Sequence, residues 1–320
     1  MKQPFPSIRA FISVTASAAI LATSVLVNPA FADPFRSSNP RAFNPQTEKA
    51  FNAIFSDGNY TEAQQILQQA DGDPMAYGMQ AALAYLEGNS GKFKTFADKT
   101  YSSAQALVKR DPLRGNIYLA AGEFLQGSAI VLEKGTIKGG AEALGKLQRF
   151  YDYLDEAEKI APNDPELLLL RGYMDLLIGV TLPLATPNDA IKRLNQLKGQ
   201  SNRTVRALVD RGLAIAYRDL KNYSNAKASV DAALRVMPDN PDLYYLQAQI
   251  LSDWGQRSEA VQAYEKALSK QNQLPYRLTA QIAYEHCKTK EKAENKDLPC
   301  QSTRKAIRSG DLSSIANLAK

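Results

Sequence analysis

Few residues in this 320-residue chain have types that could do chemistry, so spacing is the first test. "GAEALGK" (Gly140 to Lys146) has the G-x-x-x-x-G-K spacing of a phosphate-cradling loop. That loop needs a Ser or Thr next, to hold magnesium, and a strand before it. Leu147 follows instead, and the preceding residues read as helix and turn. The glycines are therefore expected to link two helices, with Lys146 on the surface. His286 is the single histidine, which leaves little from which to build a multi-histidine metal site or a Ser-His-Asp arrangement. Glu285-His286-Cys287 sets a thiol beside an imidazole, but neighbouring helical residues point about 100° apart. These three are expected to be exposed polar helix positions.

Asp152, Asp155 and Glu156, or Asp239 and Asp242, are the remaining acid pairs to consider. Glycosidase-type work needs two acids facing across a cleft, one of them desolvated. Asp239 and Asp242 fall in a turn before a helix, where Asp satisfies the free N–H groups of the helix start. "NYT", "NRT" and "NYS", at Asn59, Asn202 and Asn222, fit the N-glycosylation pattern but are expected to be silent in bacterial export. No catalytic residue, cofactor or metal ligand is expected.

The termini carry different information. Lys2 and Arg9 are the only charges before Asp33, an apolar run spans Phe11 to Val27, and Ala30-Phe31-Ala32 gives a small-x-small site. This reads as a secretory signal peptide over 1–32, cleaved after Ala32, with an uncleaved membrane anchor as the competing reading. Loss of Lys2 and Arg9 takes the formal charge from +6 to +4. The basic residues are scattered among acids, whereas a nucleic-acid binder would concentrate them, so no nucleic-acid partner is expected. Cys287 and Cys300 are the only cysteines, and in an exported protein they are a possible disulfide closing a short charged loop. Two unpaired thiols in a tail are the alternative.

The helices that must position all of this recur at a fixed interval. Ala214 and Ala248, Ala226 and Ala260, Ala233 and Ala267, and Leu234 and Leu268 are each 34 residues apart. Each unit reads as two helices around a polar turn, such as Lys221-Asn222, stopped at Met237-Pro238 because proline blocks α geometry before it and donates no N–H. The alanines are expected where antiparallel helices cross closely. Looser copies lie at Gly58 to Pro74, Ala81 to Asn89 and Leu154 to Leu177. A longer helix, Leu113 to Glu133, precedes a glycine-rich link at Gly135 to Gly140. Roughly six hairpins would fill 45–274 by this period. No alternating strand pattern is present.

The small residues at 214 and 248, the turn Tyr223, the paired second-helix alanines and Pro238 resemble the tetratricopeptide repeat, a 34-residue helix–turn–helix. The second unit departs from that pattern at Arg257 and Asn272. "DPLRGN", "APNDPEL" and "RGYMDL", from Asp111, Ala161 and Arg171, make the whole chain similar to exported tetratricopeptide proteins of cyanobacteria. The resemblance implies an all-α, right-handed solenoid over 45–274, with clearest repeats at 207–240 and 241–274. A signal peptide (1–32) and linker (33–44) would precede it, and a helical extension (275–320) would follow. Periplasm or thylakoid lumen would be the compartment.

First helices line the concave face in this repeat family and bind peptides or partner helices. Projected onto the clean units, the outward positions are Arg211, Ile215, Arg218, Asp219, Tyr245, Gln249 and Asp253, a mixture suited to a protein interface. The resemblance thus implies a non-catalytic scaffold binding another protein or peptide, with membrane contact only if the first segment is retained. The alternatives are an enzyme or carbohydrate-binding protein using the solenoid hollow, or a membrane-held complex subunit.

Overall fold

A computed structural model describes residues 33–36, 40–41, 43–181, 185–199 and 203–318. The expected signal peptide, its cleavage point and Asn202 lie outside the described residues. Those residues form thirteen α-helices and no strand: an all-α solenoid.

The helices pair in chain order. α1 (Pro45–Phe55) packs on α2 (Tyr60–Leu67), and α3 (Pro74–Glu87) on α4 (Ser90–Val108). α5 (Pro112–Ile160) is itself a hairpin: only Gly135 leaves helical geometry, at φ 73° and ψ 168°. A Cβ on Gly127 would stand 3.1 Å from the Lys146 side chain, so the two halves of α5 lie against each other. The expected glycine-rich link is thus one residue long, because Gly139 and Gly140 can stay helical once Gly135 has turned the chain. Further pairs are α6 (Pro165–Thr181) with α7 (Asn188–Gln196), α8 (Arg203–Asp219) with α9 (Tyr223–Val236), and α10 (Pro241–Trp254) with α11 (Arg257–Leu268). Six hairpins fill 45–274. α12 (Tyr276–Glu294) and α13 (Cys300–Arg308) add a seventh, joined by a Cys287–Cys300 disulfide whose Cα atoms are 5.5 Å apart.

Local sequence sets the boundaries. Five of the first helices open on an Asn or Asp cap followed by proline: Asn44-Pro45, Asp73-Pro74, Asp111-Pro112, Asp164-Pro165 and Asn240-Pro241. The cap accepts from free amides of the first turn, and proline sits where no N–H is needed. At α10 the cap is Asn240, not Asp239 or Asp242. Second helices α2, α4 and α9 open on Asn59, Asn89 and Asn222, so two of the glycosylation-type asparagines are helix caps. Before Asn89 the chain turns through left-handed Gly88; before Asn222 it does so through Lys221, at φ 57°.

The repeat period is a packing period. Ala214, Ala226, Ala233, Ala248, Ala260 and Ala267 are all fully buried, which lets helix axes approach closely. Trp254 stacks on Tyr223 of the preceding unit, with ring centroids 6.4 Å apart.

The solenoid closes on itself. α3 touches α1, α5 and also α12, while α8 touches α6 and α10, so the first helices form an inner layer. The Asn240 side-chain amide donates to the carbonyls of Phe55 and Ser56 at 3.0 and 3.3 Å, and the Thr61 hydroxyl to that of Asn272 at 3.0 Å. The expected linker is also docked, with Phe35 and Phe43 in the core. Arg36 reaches Asp33, Asp164 and Glu166 at 2.9, 2.5 and 2.8 Å. Among the described residues no helix is long and apolar enough to cross a membrane.

Candidate functional site

Closure decides the fate of the expected groove. Of the seven positions on α8 and α10, Ile215, Tyr245 and Gln249 are buried, Arg211 and Arg218 are half-buried, and only Asp219 and Asp253 are exposed. They do not line an open concave face. The first hairpin and the end of α3 fill it: Tyr60 and Leu86 meet Arg211, Ile215, Asp242 and Tyr245 around a cavity of about 10 Å³. That is room for about one water molecule, so these residues enclose no space in which a sugar could sit.

Three of the expected groove residues, Arg211, Arg218 and Gln249, serve the interior. The Arg218 guanidinium donates to Gln249, whose amide donates to Glu285 at 3.1 Å. Gln281 and Tyr264 also donate to Glu285, at 2.6 and 3.3 Å. Asp253 lies 4.0 Å from Arg218 at the exposed edge. Arg211 faces Asp242 and Tyr60 in the core; burial pushes the Asp242 carboxyl up while Arg211 holds it down.

Glu285, His286 and Cys287 are buried, not exposed, because the seventh hairpin packs against α11 as well as against itself. Cys287 is bridged to Cys300 and cannot pair with an imidazole. His286 lies 3.6 Å from Glu265 and neither ring nitrogen has a hydrogen bond. Its pKa is lowered to about 4, chiefly by burial and then by Lys290. Lys146 is no free phosphate ligand: it pairs with Glu123 at 2.9 Å and donates to Gln126 at 2.6 Å. Asp155 pairs with Arg171, and Glu156 with Lys159 at 2.6 Å, as surface ion pairs. Among the described residues no group of His, Cys, Asp or Glu could hold a metal.

The acid that the sequence reading missed is Glu166. Fully buried, it accepts from Arg36 at 2.8 Å, from Arg114 at 3.2 Å and from the Tyr118 hydroxyl at 3.2 Å. Burial pushes its carboxyl up, against the pull of Arg114 and Arg36. Each partner is an anchoring group, so this cluster reads as the lock that holds the N-terminal segment on α5 and α6.

Two accessible clefts lie where α3 ends, α4 and α12 begin and α13 ends. One cleft there, of about 380 Å³, is lined by Phe93, Leu132, Arg277 and Arg308 among others; a second, of about 570 Å³, shares Arg277 and Arg308. The tip of hairpin α5 projects nearby with Leu132 46%, Ile137 98% and Leu144 66% exposed. Neither feature belongs to the repeat period. The one sequence signal for the tip is apolar residues on either side of Gly135.

Residues 241–271, the α10–α11 hairpin and the 3₁₀ turn after it, match the tetratricopeptide repeat family model. No curated protein matches the chain.

Proposed function

We propose that this chain is an exported, non-catalytic scaffold that binds another protein through the tip of hairpin α5. The observation that carries the reading is the exposure of Leu132, Ile137 and Leu144 along the two arms of the hairpin that turns at Gly135. Large side chains held in water on a helical tip lose about 25 cal/mol per Å² of apolar area that stays uncovered, and exposed apolar patches mark contact sites. The tetratricopeptide match supports a protein partner, since repeats of this kind generally mediate protein interactions. The filled centre of the solenoid weighs against an enzyme or sugar-binder that works in a hollow. Export rests on the first 32 residues, and the Cys287–Cys300 bridge is consistent with it, because disulfides persist in oxidising compartments.

Affinity capture from the exported compartment tests the reading, with wild type beside the double variant Ile137→Asp, Leu144→Asp. Both should melt alike, as these side chains are exposed, and the wild type should retrieve a protein that the variant loses. Retrieval of nothing by the wild type, or of the same set by both, overturns it.

A further inference from the structure

We infer that the cleft of about 380 Å³ between α3–α4 and α12–α13 binds a single-chain amphiphile with one anionic head group. Its walls are Leu86, Phe93, Leu132 and Leu278, and its polar end carries Arg277 and Arg308. The volume falls in the range of small-molecule sites, which are mostly apolar with a few polar groups that fix orientation.

Both arginines are solvent-exposed, and the backbone makes room for one of them. Gly88 is left-handed at φ 75°, and a Cβ there would stand 1.3 Å from the Arg277 guanidinium, so the glycine leaves the space that Arg277 fills. Among the described residues neither Arg277 nor Arg308 has a carboxylate partner. Arg308 is pushed below its ordinary range by burial and by the charges of Arg304 and Arg277. Arg304 is already engaged, donating to Gln281 at 2.6 Å and lying 4.7 Å over the Tyr284 ring. Among the described residues no acid lines this cleft; Glu87 borders the adjoining one and accepts from Gln64 at 2.6 Å. In addition, α12 opens at Pro275 with no side-chain cap, leaving the positive end of a 19-residue helix beside Arg277.

An anion relieves repulsion between the guanidiniums and can take two parallel N–H bonds from either. An attached alkyl chain then covers the apolar wall, including half-exposed Leu132. A neutral chain would gain the wall alone, and a small inorganic anion the arginines alone. Carboxylate and phosphate share this chemistry.

Calorimetric titration of the full chain with decanoate, decyl phosphate and decanol tests the inference. One of the two anions should saturate at one per chain and bind about tenfold or more tightly than decanol; which of them does so names the head group. Arg308→Gln should lose about tenfold or more with an unchanged melting curve, and Leu132→Gln should weaken the anion and decanol alike. Should Arg277→Gln perturb the fold through Gly88, Arg308→Gln still decides. Decanol binding as tightly as both anions, anions that do not bind, or Arg308→Gln binding like wild type overturns the proposal.

Discussion

The Tyr60 hydroxyl donates to the Asp242 carboxylate across 182 residues of chain, and this bond joins the first hairpin to the sixth. It forms in the interior, beside Arg211, where a solenoid of this length could have left an open groove. The chain therefore has a core that passes through its own beginning and end.

Tyr60→Phe tests how much that seam matters. The ring keeps its packing, but Asp242 loses one donor and keeps Arg211. A hydrogen bond to a charged group contributes about 1.5–3 kcal/mol, so the urea midpoint should fall accordingly. Amides of α2 and of the α10 start should exchange faster together. An unchanged midpoint would mean that the seam is held by packing and by the Asn240 and Thr61 bonds, without help from Tyr60.

Glu166→Ala should cost more. It removes the shared acceptor of Arg36, Arg114 and Tyr118 and strands the fully buried Arg114, while Arg36 keeps Asp33 and Asp164. Breaking a buried pair from one side typically costs about 3–5 kcal/mol. Thermal unfolding measures it, and susceptibility of the 33–44 segment to proteolysis should rise in the same variant. A drop below about 1 kcal/mol would show that the segment is docked by Phe35 and Phe43 instead.

His286 sets an acid sensitivity. Its pKa is about 4 in the folded chain, against about 6.5 when unfolded. The unfolded state thus binds the proton first, and stability is lost as pH falls from 6.5 toward 4. The loss should reach ~2 kcal/mol by pH 5. His286→Leu removes this term, so its denaturation midpoint should change less than that of wild type between pH 7 and 5. Equal slopes in the two proteins would assign the acid response to carboxylates.

The disulfide can be tested by reduction. Cys287 and Cys300 are 13 residues apart, and closing a loop of about that length stabilises by about 3 kcal/mol in the chain-entropy account. Reductant should lower the melting temperature of wild type and leave the double variant Cys287→Ala, Cys300→Ala unchanged. Loss of helicity should start in α13, which packs chiefly on α12 and on the 3₁₀ turn Leu312–Leu318.

The hairpins were legible because each is decided locally. Asn-Pro and Asp-Pro starts, Asn caps after left-handed turns and buried alanines at a 34-residue spacing all act within one or two helices, over distances that the sequence itself spans. The cysteine pair could be read as a possible bridge for the same reason, although only the 5.5 Å Cα separation makes the bond. The expected exposure of the groove residues failed where the deciding neighbour is far along the chain. Arg211, Ile215, Tyr245 and Gln249 lie on the face that faces outward in an isolated pair of repeats. Tyr60 and Leu86, more than a hundred residues earlier, cover that face. His286 failed likewise, because α11 and α13 enclose a helix whose own pattern looks polar.

The sequence by itself determined the helices, their ends, their pairing and the solenoid class, since backbone capping and small-residue crossings are short-range. Only the tertiary structure decided that the solenoid closes, that Glu166 is buried among Arg36, Arg114 and Tyr118, that Asp242 meets Tyr60, and that Arg277 and Arg308 share a cleft. Those outcomes depend on accumulated rotation over seven hairpins, where a small angle per repeat sets whether the ends meet.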